Sequence, residues 1–161
     1  MKKRIVYFAF AAYLVLLITL VLFDNRFGRQ FGNIFSLNGS ELKLYLSHSI
    51  NVIPFKVIGG YVIGFIRSTV SWKVFVTQFF GNLLAFAPFA LFLPLLTKIN
   101  TYKKFLVAML IIVSIVEILQ LFTMSGFCDI DDLILNIAGA SIMYGILKLP
   151  RISRAYPKIQ Q

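Results

Sequence analysis

Apolar residues run along this chain in long unbroken blocks, with none of the strict alternation of a half-buried strand. Four blocks, at about 5–23, 74–97, 105–124 and 130–149, approach the ~20 residues that an α-helix needs to cross the ~30 Å core of a bilayer. Helices that are apolar on every side must face lipid or a protein interior. The pattern therefore predicts an all-α membrane protein, a four-transmembrane-helix bundle in which 1–161 forms a single polytopic domain. The first block follows Lys2, Lys3 and Arg4 and ends in Asp24-Asn25-Arg26 without a small-residue cleavage site, so it reads as a retained anchor and not a signal peptide. A fifth apolar segment, 52–66, contains Pro54 and Lys56 and stops at Arg67 before reaching spanning length. An additional interfacial or re-entrant helix is expected there, under the outer surface. Its Gly60 and Gly64 stand at the spacing of a helix-contact face.

Composition agrees with that reading: 59% of residues are hydrophobic and the mean hydropathy is +0.85, values that exclude an ordinary soluble domain. The formal net charge of +10 would suit nucleic acid if the cations formed a continuous patch, but they cluster at the ends of the apolar blocks, as membrane-flanking charge does. No nucleic-acid partner is expected. With the N-terminus inside, the inner segments hold Lys2, Lys3 and Arg4, then Lys98, Lys103 and Lys104, then Lys148, Arg151, Arg154 and Lys158, whereas the loop between the third and fourth blocks holds no cation. Positive-inside counting thus expects a multi-pass protein of the cell membrane with both termini cytoplasmic and a basic tail at 150–161. The single cysteine, Cys128, and the single histidine, His48, exclude an intrachain disulfide, paired-cysteine metal motifs and a His-rich zinc site. No metal and no cofactor is expected.

The chemistry concentrates in one stretch. Four of the six acids, Glu117, Asp129, Asp131 and Asp132, fall within sixteen residues, and Glu117 lies inside an apolar block, where a charge costs about 3 kcal/mol on insertion scales unless the protein receives it. Counting ~1.5 Å per residue from the outer ends, Asn82 lies ~12 Å into the second span, Glu117 ~10 Å into the third and Asn136 ~9 Å into the fourth. Gln120 sits one turn above Glu117. Asp129, Asp132, Asn136 and Gly139 fall on one face of the fourth helix, with Asp131 off that face. A candidate polar pocket of Asn82, Glu117, Gln120, Asp129, Asp132 and Asn136 follows, at one level of the outer leaflet. The alternative is that these side chains only hydrogen-bond the helices together, and that the acids only cap the fourth helix. Gly139 is expected to permit close helix packing, and Pro88 and Pro94 to kink the second span.

The ordered motifs Asn51-Val52-Ile53-Pro54-Phe55, Asn82 with Phe86-Ala87-Pro88-Phe89, Glu117 with Gln120, and Asp129-Ile130-Asp131-Asp132 with Asn136 and Gly139 resemble the VanZ-like family of bacterial membrane proteins. Two positions depart from the family pattern: Ala90 stands where Gly commonly follows the Pro-Phe pair, and Gly126 where many members carry Arg before the acidic motif. The resemblance implies a bundle in the bacterial cytoplasmic membrane and a link to resistance against teicoplanin, a lipid-tailed glycopeptide. Three functions remain open at this point. One is binding of a membrane lipid, a lipid-linked cell-wall precursor or the lipoglycopeptide antibiotic itself. A second is an intramembrane enzyme acting on a lipid headgroup, with Glu117 as base. The third is proton-coupled transport through Glu117, for which four spans would call for a homo-oligomer.

Overall fold

A computed structural model describes residues 3–23 and 32–153. Helix α1 (Lys3–Phe23) is followed, past a 3-10 turn at Ile34–Ser36, by α2 (Gly39–Ser49), a two-residue strand β1 (Ile50–Asn51) and the apolar α3 (Lys56–Ile66). Then come α4 (Trp72–Ala85), α5 (Phe89–Leu96), α6 (Tyr102–Phe122), strand β2 (Cys128–Asp129), α7 (Ile130–Lys148) and the short α8 (Pro150–Ser153). Among the described residues, four segments are long and apolar enough to span a membrane: Lys3–Leu22, Trp72–Leu96, Tyr102–Phe122 and Ile130–Lys148. The expected ends Asp24-Asn25-Arg26 of the first block and the tail beyond Ser153 lie outside the described residues.

The second span is two helices in tandem. Pro88 has no N–H to continue the ladder, and the chain tightens around it into three-residue turns, with Ala87 N donating to the Leu84 carbonyl (3.2 Å) and Phe89 N to that of Phe86 (3.1 Å). Pro94 is carried inside α5 without a break. Phe86, Phe89, Ala90 and Leu93 then turn inward and join Phe105, Met109 and Val113 of α6 and Ala140, Tyr144 and Leu147 of α7 in the core. Helix α7 packs against α4, α5 and α6. Its contact with α4 is tightest at Gly139, where an added Cβ would overlap the Leu83 carbonyl. Helix α1 stands at the edge, its Phe10 and Tyr13 rings packed against Phe89 and Phe92.

Because successive spans alternate in direction, α2, β1, α3 and β2 all gather at one end of the bundle and form a cap. Asn38 starts α2 by accepting from Ser40 and Glu41 N–H, and Glu41 returns a carboxylate oxygen to Asn38 N. Tyr45 of α2 donates to the Leu121 carbonyl (2.9 Å), and β1 pairs in parallel with β2, Ile50 opposite Cys128 and Asn51 opposite Asp129. Helix α3 has eleven residues, ~16 Å at ~1.5 Å per residue, too short to cross. The expected Gly60/Gly64 helix contact does not form: a Cβ at Gly60 would meet nothing, and Gly64 is tight against Val70 of the turn that ends α3.

These glycines give a paired test. Gly139→Ala is expected to lower stability by about 1–3 kcal/mol through overpacking against the Leu83 carbonyl. Gly145→Ala, which meets nothing within 4 Å on the same helix, should hold or raise it. Thermal unfolding in detergent measures both, and equal behaviour of the two would contradict the α4–α7 contact.

Candidate functional site

The first turn of α7 is built from carboxylates that have left water. Glu117, Asp129, Asp131 and Asn136 are 4%, 6%, 1% and 3% exposed, so each requires a partner inside the protein. Asp129 is the N-cap of α7. Its Oδ1 accepts from Asp131 N (2.9 Å) and from Asn51 Nδ2 (2.8 Å), so one carboxylate caps α7 and ties it to β1. The backbone N–H of Asp129 donates to Glu117 Oε2 at 3.2 Å. Glu117 thus holds the loop entering α7. The Asn136 Oδ1 has no partner among the described residues.

Asp131, off the Asp129–Asp132 face, is the most deeply buried acid among the described residues and points into the N-terminus of α3. It accepts from Phe55 N, from Val57 N (2.7 Å) and from Ile58 N (3.0 Å). These are free donors of a helix start, and a negative charge there also meets the favourable end of the helix dipole. Phe55 adopts φ 63°, the left-handed region. That conformation costs a non-glycine residue about 1 kcal/mol or more, and it turns the Phe55 N–H onto the carboxylate.

On the other side of the same layer a cavity of about 410 Å³ opens between α1 and α4. Asn82, Gln120 and Asp132 line it, while Glu117, Asp129 and Asn136 do not. The candidate residues therefore divide into a cavity wall and a buried brace behind it. Asn82 Nδ2 donates to Asp132 Oδ1, joining α4 to α7. Gln120 Nε2 donates to the Val21 carbonyl (3.0 Å) and Tyr13 OH to the Ala85 carbonyl (2.7 Å), so α1 is pinned at two points, one toward each end of the cavity. Pro88, where the second span was expected to kink, lines the apolar floor with Leu16 and Leu17. Gln78, a wall residue that sequence reasoning did not single out, donates to Tyr61 OH of α3 (2.9 Å).

The VanZ/LLP1 family profile matches residues 10–151, from the aromatic face of α1 to α8. The chain belongs to the VanZ/LLP1 family. No curated protein and no solved structure matches it. The VanZ/LLP1 match reaches further toward the N-terminus than the motifs from Asn51 onward, and so takes in the α1 wall of the cavity. One departure from the VanZ-like pattern has a local reason: a Cβ at Gly126 would come within 2.8 Å of the Gln120 amide, which is held in place by Val21.

Removing Asp131 leaves three N–H groups of α3 without an acceptor. Asp131→Ala is expected to cost about 1–3 kcal/mol and to speed hydrogen exchange at Phe55, Val57 and Ile58 by about tenfold; unchanged protection would contradict the brace. Cys128, in the loop before α7, tests the electrostatics. Burial pushes its thiol above the ordinary 9.0, and the neighbouring Glu117 and Asp129 push in the same direction. The thiolate is the reactive form, so the maleimide rate should reach its midpoint above pH 9.0. Glu117→Gln, removing a negative neighbour, should move that midpoint down; no movement would separate Glu117 from the loop.

Proposed function

We propose that this VanZ/LLP1-family protein binds a lipid-linked ligand in the cavity between α1 and α4. The observation that carries the reading is the gradient along that cavity. Gln78, Asn82, Gln120, Ser125 and Asp132 line its capped end, and Leu16, Leu17, Ala85 and Pro88 its deeper end. An amphiphile placed there sets its head at the polar layer and its chain among the apolar residues, parallel to the lipid around it. A volume of about 410 Å³ falls in the range of small-ligand sites.

Positive-inside counting supports a capped end outside and cytoplasmic termini, since Lys98, Lys103, Lys104 and Lys148 lie at the opposite end. The cavity then belongs to the outer leaflet of a bacterial cell membrane. There it would meet a lipid-linked cell-wall precursor or a lipoglycopeptide such as teicoplanin, and family membership supports a role in resistance to that drug. Headgroup catalysis ranks lower because Glu117, its candidate base, faces the Asp129 N–H and does not line the cavity. Proton transport through Glu117 ranks lower for the same reason.

Filling the cavity tests the proposal. A Cβ at Gly81 meets nothing within 4 Å, so Gly81→Phe should occupy the space while the bundle stays folded. The wild-type protein is expected to copurify with about one equivalent of an amphiphile by native mass spectrometry and to reduce teicoplanin susceptibility of a Gram-positive host more than vancomycin susceptibility. Gly81→Phe at equal membrane abundance should lose both. An empty wild-type protein, or full protection by Gly81→Phe, would overturn the proposal.

A further inference from the structure

We propose that a groove along the first turns of α6 is a second lipid site, and that it takes an anionic phospholipid. It lies at the end of the bundle opposite the cap, apart from the cavity between α1 and α4. Ile99, Lys103, Lys104, Val107, Ala108 and Ile111 line a space of about 380 Å³ there. Lys103, Val107 and Ile111 fall at i, i+4 and i+8 and form one stripe along the helix. The groove is charged at its rim and apolar below it.

Charge decides which lipid fits. Glu41, Glu117, Asp129, Asp131 and Asp132 belong to the cap or to the ends of α6 and α7 that meet it, and Asp24 follows Phe23 in the sequence; residues 1–13, 97–104 and 145–161 contain no acid. Lys103 and Lys104 are exposed and make no ion pair or side-chain hydrogen bond with the described residues. They stand in the first turn of α6, where the helix dipole disfavours cations, so the helix itself does not call for them. A phosphate headgroup meets both lysines with charge-assisted hydrogen bonds. A zwitterionic headgroup would add an ammonium that finds no acid at this end. The apolar lining asks for a lipid in place of a free anion: Val107 and Ile111 are 48% and 55% exposed. Lys103 to Ile111 spans ~12 Å at ~1.5 Å per residue, most of the ~15 Å depth of one hydrocarbon leaflet. An acyl chain fills that length.

Native mass spectrometry tests this on the full chain, delipidated in detergent and given equal amounts of chain-matched phosphatidylglycerol and phosphatidylcholine. The wild-type protein should retain phosphatidylglycerol about tenfold over phosphatidylcholine. Lys103→Gln with Lys104→Gln should bring that ratio below about twofold, while Lys98→Gln, an exposed cation at the same end that does not line the groove, should leave it unchanged. Val107→Trp, which fills the groove and keeps both lysines, should also abolish the preference, with thermal unfolding showing that each variant is folded. Equal retention of the two lipids by the wild-type protein, or a ratio that the double variant does not move, would overturn the proposal. So would an equal drop in Lys98→Gln, displacement of the lipid by free glycerol phosphate at matched concentration, or a protein dimer that Val107→Trp dissociates. None of these substitutions lies in the lining of the α1–α4 cavity, so each result leaves the amphiphile reading to its own test.

Discussion

Backbone N–H groups at a helix start have no partner of their own, and near a bilayer water cannot be relied on to supply one. The structure meets this constraint at two adjacent helix starts with the carboxylates of a single turn. Asp129 serves α7, and Asp131 reaches across to serve α3. Glu117 receives the Asp129 amide from below, and Asn51 joins β1 to Asp129. Four segments distant in sequence are fixed by acids that would be expensive to bury for any lesser return, since an unpaired carboxylate in such a place costs several kcal/mol.

That brace positions the cavity. With α7 anchored by Asp129 and Asp131, Asp132 is turned toward α4, where Asn82 meets it, and Gly139 two turns on lets the Leu83 backbone close in. The α4–α7 pair becomes a rigid wall. Helix α1 is held differently, by ring packing on α5 and by two side-chain hydrogen bonds to backbone carbonyls at Ala85 and Val21. Helix α1, packed on α5 and meeting α4 and α6 at these two hydrogen bonds, leaves space between itself and α4, and the polar layer that braces the cap lines one end of that space.

The spans were legible in the sequence because twenty apolar residues in succession have few other fates; counting along regular helices put Asn82, Glu117, Gln120, Asp132 and Asn136 at one expected level, and of these the structure joins Asn82 to Asp132. What was not legible depends on where the cap sits. Asp131 lies off the face that periodicity picks out, and the approach of α3 to α7 buries it more deeply than any other acid among the described residues. Asn51 appeared in a recognisable motif, but its role needs the parallel pairing of β1 with β2, seventy-eight residues apart in the Asn51–Asp129 bond. Gln120 and Glu117 are three residues apart on one helix, yet they serve opposite sides of the layer, one at the cavity and one at the brace. Helical spacing places side chains on a face and says nothing about which neighbour closes over them.

The central claim is that the space between α1 and α4 is a ligand site held open by the braced end of α7. An experimental density map of the protein extracted in native lipid tests it most directly. The account predicts continuous density from the level of Pro88 to the level of Asn82 and Asp132, with α1 standing off α4. Helix α1 closed onto α4 with no space between them, and Asp132 turned away from Asn82, would contradict it.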